Sequence, residues 1–180
     1  MSGSPTPQKP PHRTAADGLV DYNVVNSLKL RNRQIACSPA GSDVRIVEFA
    51  QAFIKELDKR GMPFFAHCYL RGKAAQEAAL KAGHSNAGFG RSPHNVGMAV
   101  DIVHFGRFWE LTRDEWAVLG LIGKEVARKR CIKVTWGGDF RSIWDPAHWE
   151  LANWRTVDFI PWPKPSKEWR QIVKYAKQSD

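Results

Sequence analysis

The chain has 180 residues, 43% hydrophobic and 25% charged, the balance of an ordinary globular domain. No apolar run approaches the roughly 20 residues that span a bilayer, and the opening MSGSPTPQKPPHR lacks the apolar core of a secretory leader. These features argue against a transmembrane protein, a Sec-exported protein and a fully disordered chain. Lys and Arg number 27 against 18 Asp and Glu, so the surface, with a formal charge of +9, attracts polyanions such as nucleic acid, anionic lipid or acidic wall polymer.

Residues 1–17, with Pro5, Pro7, Pro10 and Pro11 among Ser, Thr, Gln and Lys, read as a flexible tail that cannot bury enough surface to order itself. Residues 18–180 are expected to form one domain. Asp43, followed by Val44, Val47, Ala50, Phe53, Ile54 and Leu57, predicts a capped amphipathic helix ending before Gly61 and Pro63. The run from Pro63 to Arg71 has the length and aromatic content of a buried strand. Lys73 to Ala82 predicts a helix stopped by Gly83, and Gly88 to Gly97 a loop. Ala99 to His104 reads as a strand. Thr112 and Glu115 form a capping box that opens a helix running to about Arg130. Ile132 to Trp136 and Ala147 to Leu151 are short strands separated by a turn at Gly137 and Gly138. Ser166 to Lys177 predicts a final basic helix. Helices and strands mix without a βαβ rhythm, which favours an α+β fold.

The chemistry concentrates in Ser92-Pro-His94-Asn-Val-Gly97-Met-Ala-Val-Asp101. A loop bending at Gly97, which can adopt conformations closed to other residues or let backbone approach closely, brings His94 toward Asp101. An imidazole and a carboxylate are both good zinc ligands, and a catalytic zinc takes three protein ligands plus an open position. The third is to be sought among His, Asp, Glu and Cys; His148, opening a strand after a turn, is the best candidate. Asp145, three residues earlier, is close enough to serve as general base. Glu150 shares the face of His148 and is the alternative base. His104 should face away from Asp101. His67 and Cys68 alternate across a strand, with a buried structural role favoured for whichever points inward. Cys37, Cys68 and Cys131 have no zinc-pair or disulfide spacing and are expected as reduced thiols. Trp136, Trp144, Trp149 and Trp154 read as core or sugar-facing surface.

The pattern Ser-x-His-x-x-Gly-x-Ala-x-Asp, with an acid-x-x-His about fifty residues later, resembles zinc D-alanyl-D-alanine carboxypeptidases and dipeptidases and phage L-alanyl-D-glutamate endopeptidases. The likeness runs from about Pro63 to Leu151 and includes Arg71 and Trp136-Gly-Gly-Asp-Phe140. It implies a small, mostly antiparallel sheet flanked by helices, of the hedgehog/DD-peptidase type. It also implies one catalytic Zn2+ held by His94, Asp101 and His148, with Asp145 as general base. Arg71 matches the arginine that holds substrate and the developing oxyanion, although pairing with Asp101 or Glu77 is its structural alternative. Ser92 matches the motif serine, expected to bond within the site or to substrate. Asp at position 145, where the carboxypeptidase branch usually has Glu, resembles the phage branch.

The implied function is an endolysin-like, zinc-dependent hydrolysis of the peptidoglycan stem peptide at the L-alanyl-D-glutamate bond. A D-alanyl-D-alanine carboxypeptidase or dipeptidase is the alternative, and a non-catalytic wall-binding module the alternative of another class. The expected enzyme is a monomer made in the cytoplasm without a signal peptide, acting on the wall in the periplasm after release. Its basic surface would hold it near the anionic wall. No helix-turn-helix or aromatic RNA-binding signature points to nucleic acid.

Overall fold

A computed structural model describes residues 14–162. Four strands, β1 (Phe64–Cys68), β2 (Ala99–His104), β3 (Val134–Trp136) and β4 (His148–Leu151), form one antiparallel sheet in the order β1-β2-β4-β3. Five helices accompany it: α1 (Tyr22–Val25), α2 (Leu28–Ala36), α3 (Val44–Lys59), α4 (Lys73–Lys81) and α5 (Arg113–Arg130). The α+β architecture expected from the sequence is the one observed.

Amphipathicity decides how the layers meet. Helix α3 buries Ile46, Val47, Phe49, Ala50, Phe53 and Leu57, four of them spaced as i, i+3, i+7 and i+11 along one stripe. Phe49 and Phe53 meet the Trp149 ring of β4 at centroid distances of 5.1 and 5.2 Å. Trp149 also stacks on Trp136 of β3 at 5.9 Å. Helix α5 crosses the same layer, and at Gly123 a Cβ would stand 2.3 Å from the Trp149 ring; the indole reaches the core only because that side chain is absent. Trp136 and Trp149 are therefore core. The capping box read at Thr112 and Glu115 is present in both directions.

The strands sit within the segments expected for them. Helices α1 and α2 were not legible, since their apolar residues form a weaker stripe. Ser27 caps α2 by accepting from Leu30 N, and Gln34 ties the helix to β1 by donating to the Phe64 carbonyl at 3.0 Å. Within the segment read as a tail, Thr14 N and Oγ1 donate to Asp17 Oδ2. The expected helix from Ser166 to Lys177 lies outside the described residues. Among those described, no helix is long and apolar enough to cross a membrane.

Two features fix the approach to the sheet centre. Asp43 caps α3 and also accepts from Ile160 N at 2.8 Å, while Val44 N donates back to the Ile160 carbonyl. This pins the segment 158–162 against the helix start. Asp43 N donates to the Gly97 carbonyl at 2.8 Å, drawing the loop before β2 onto the same point. Gly97 has φ +68°, and a Cβ there would stand 2.4 Å from the Gly41 carbonyl oxygen. Gly97→Ala is therefore expected to cost about 2–4 kcal/mol through left-handed strain and overpacking, read as a lowered urea midpoint. Gly88→Ala, where a Cβ meets nothing within 4 Å, should change stability by less than about 0.5 kcal/mol; equal effects would contradict this account.

Candidate metal centre

The sheet register assembles the site. Asp101 on β2 pairs with Cys68 on β1 on one side and with His148 on β4 on the other, and paired residues project to the same face. His94 arrives from outside the sheet. Ser92 caps the short 3-10 turn Pro93–Val96 by accepting from His94 N, Asn95 returns the box by accepting from Ser92 N, and Gly97 ends the turn. The serine thus shapes the loop that aims the histidine, and it also lines the cavity over the site.

His94 Nε2 lies 3.1 Å from Asp101 Oδ1 and 3.1 Å from His148 Nδ1, and His148 Nδ1 lies 3.2 Å from the same Oδ1. His94, Asp101 and His148 are all buried. The far side of each ring settles its tautomer. His94 Nδ1 is 2.9 Å from the Tyr69 carbonyl, which can only accept, so the proton sits there. His148 Nε2 is 3.1 Å from Glu150 Oε2, which accepts from it in turn. When the rings are neutral, each inward nitrogen therefore carries a bare lone pair, and both face a carboxylate oxygen. Three lone pairs converging in a buried space repel unless a proton or a metal cation stands among them. Outer partners that fix ring and tautomer in this way are the usual support of metal-ligating histidines. Tetrahedral ligands about 2.0–2.1 Å from a zinc ion are about 3.3 Å apart, close to the separations here. The residues fit a single small divalent ion with an open fourth position.

The electrostatics agree. Burial disfavours charge on His94, but the Asp101 carboxylate more than offsets it and pushes the imidazole up to about 10. His148 is likewise raised, to about 9, by hydrogen bonds to Asp101 and Glu150 acting against burial. Burial alone would raise Asp101; the two histidines instead hold it well below the ordinary carboxylate range. The point where the three meet stabilises positive charge.

Asp145 stands at the mouth, one of its oxygens within 4.8 Å of the donor atoms of Asp101 and His148. Burial, and then the charge of Asp101, raise its carboxyl above the usual range. Its loop is held by Asp145 N donating to the Gly137 carbonyl and by Trp136 Nε1 donating to the Pro146 carbonyl at 2.8 Å. Arg71 Nη2 donates to Asp101 Oδ2 at 3.0 Å, the structural pairing weighed for it, and Arg71 also lines the cavity of about 470 Å³ that opens over His94, Asp145 and His148. Glu150, considered as a base, is engaged with His148.

The sequence leaves open which of His67 and Cys68 faces the site, and the structure brings Cys68 there. A bulge between Ala66 and Cys68 takes residue 67 out of register, so alternation fails there. Cys68 shares the face of Asp101, and its sulfur lies within 4.8 Å of the His94 and Asp101 donors. His67 is left exposed beside the Trp109 ring. His104 faces the other way, as expected, with its ring edge-on to Phe64 and Nδ1 accepting from Gly106 N and Arg107 N.

Fold, donor set and adjacent carboxylate define a hydrolase of the metallopeptidase class, and comparison with known proteins agrees. Residues 85–151, which hold His94, Asp101, Asp145 and His148, match the family model of D-alanyl-D-alanine carboxypeptidases. The crystal structure of the L-Ala D-Glu endopeptidase ChiX from Serratia marcescens is similar over 62% of this chain and 81% of its own, with 27% identity and a TM-score of 0.51.

Glu150→Gln should leave the fold intact but loosen the His148 ring. Affinity for a divalent metal is expected to fall about 10–100-fold in chelator competition. Unchanged affinity would remove Glu150 from the supporting shell.

Proposed function

We propose that this chain is a zinc-dependent peptidoglycan endopeptidase that cleaves the L-alanyl-D-glutamate bond of the stem peptide. The observation that supports this reading most is the pair of imidazoles pinned from behind, by the Tyr69 carbonyl and by Glu150, with their inward nitrogens converging on Asp101 beneath an open cavity. In this reading His94, Asp101 and His148 hold one zinc ion. When bound, such an ion supplies Lewis acidity, bringing the pKa of a coordinated water toward about 7 and polarising the scissile carbonyl.

The chain's own residues do the rest. Asp145, partly desolvated and facing Asp101, accepts the proton of the attacking water and later delivers it to the leaving amine. Arg71 keeps Asp101 oriented through one amine of its guanidinium. The remaining N–H groups are free to reach the substrate carbonyl as it becomes an oxyanion, a role that suits a fixed charge with several donors. Ser92 holds the loop carrying His94 and borders the space the substrate enters. The formal charge of +9 favours residence on an anionic wall, in keeping with an endolysin-type role.

The L-Ala D-Glu specificity of the Serratia protein and the Asp at position 145 favour the endopeptidase; the description of the matching family favours a D-alanyl-D-alanine carboxypeptidase. Mass spectrometry of defined muropeptides separates them. Zinc-loaded protein is expected to release peptides beginning with D-glutamate. Chelation should abolish the release, and Asp145→Asn should slow it by about 10²–10⁴-fold while zinc stays bound. Loss of a terminal D-alanine alone would establish the carboxypeptidase, and no zinc-dependent product from either substrate would leave a wall-binding module.

A further inference from the structure

A second cavity, of about 600 Å³, opens beside the centre, and Arg91, Trp154 and Arg155 line both. The two spaces therefore form one groove. Its far end is walled by Val96, Met98 and Phe159; Val96 and Phe159 are 40% and 44% exposed although apolar.

This end is built before any ligand arrives. Arg91 directly precedes the Ser92 cap, and its backbone N–H donates to the Gly88 carbonyl at 3.1 Å. Trp154 and Arg155 lie in the turn after β4, closed by Trp154 N donating to the Leu151 carbonyl and Val157 N to the Asn153 carbonyl. Phe159 belongs to the segment that Asp43 pins to α3. The Arg155 guanidinium lies 4.2 Å above the Trp154 ring, which holds its plane and leaves its edge free for a planar acceptor. Neither Arg91 nor Arg155 forms an ion pair among the described residues. Two cations without counterions thus face one groove whose floor is apolar. A carboxylate matches both arginines.

We infer that this second cavity is a substrate pocket for a carboxylate-bearing peptide segment flanking the scissile bond, with Arg91 and Arg155 reading the carboxylate. The inference rests on the peptidase reading above. A glutamyl residue joined onward through one carboxyl keeps the other free, so an acidic residue at the cut bond presents the required group. Trp154, Met98 and Phe159 take the apolar and backbone parts beside it.

The test uses two synthetic stem peptides that differ in one group, a free carboxylate or a carboxamide on the residue after the scissile bond. Calorimetry on the full-length, zinc-loaded Asp145→Asn protein measures binding with turnover slowed about 10²–10⁴-fold. The acid should bind about tenfold more tightly than the amide, the scale of one charge-assisted hydrogen bond. Arg91→Ala and Arg155→Ala should each remove most of that difference while affinity for the amide stays within about twofold. In the active protein the same changes should raise KM for the acid about tenfold and leave kcat within about twofold. Equal affinity for acid and amide, no binding of either, or arginine variants that weaken both alike would overturn the inference. If the active protein cleaves neither peptide, the endopeptidase reading fails separately, and the calorimetric comparison still decides the pocket.

Discussion

Asp101 is buried at the middle of the sheet, and its carboxylate is shared among three cationic or cation-seeking groups. Oδ1 faces His94 and His148 at 3.1 and 3.2 Å, and Oδ2 accepts from Arg71 at 3.0 Å. An isolated carboxylate in that position would be costly. The surrounding structure is arranged so that it is never isolated, and the arrangement is complete only when positive charge stands between Asp101 and the two imidazoles. Each histidine is braced from behind, one by a backbone carbonyl and one by Glu150, so neither ring can turn away.

The fold supplies this geometry through sheet order. Strand β2 lies between β1 and β4, which gives Asp101 two neighbours at its own level, Cys68 and His148. The other face of β4 presents Trp149 to α3, so the strand that carries His148 is also anchored in the core. His94 needs a different device, and the Ser92 cap and the left-handed Gly97 provide it. The bond from Asp43 N to the Gly97 carbonyl connects this loop to the start of α3 and to the segment bearing Phe159. Metal centre and adjoining groove consequently share one rigid support.

Most of the candidate site was legible in the sequence because the donor residues that the structure brings together sit in a short motif with a glycine at the bend and a His after a turn. The strands around them have strong apolar patterns, and α3 and α5 have caps and wide apolar stripes. What escaped was long-range or irregular. The bulge at His67 depends on pairing with β2 and sets the facing of Cys68. The brace on His94 is a backbone carbonyl, Tyr69, which no residue type announces. Helices α1 and α2 owe their place to contacts such as Gln34 with the Phe64 carbonyl more than to their own periodicity. The pairing of Arg71 with Asp101 is one of two that the sequence allows, and it follows from the tertiary structure.

X-ray absorption at the zinc edge of the zinc-loaded protein addresses the central claim most directly. Two imidazole nitrogens with one or two oxygens at about 2.0–2.1 Å, and no sulfur, are the predicted coordination, since the cavity over the site is lined by His94, Asp145 and His148 and not by Cys68. A zinc–sulfur distance of about 2.3 Å, or a shell of oxygens without imidazole, would contradict it.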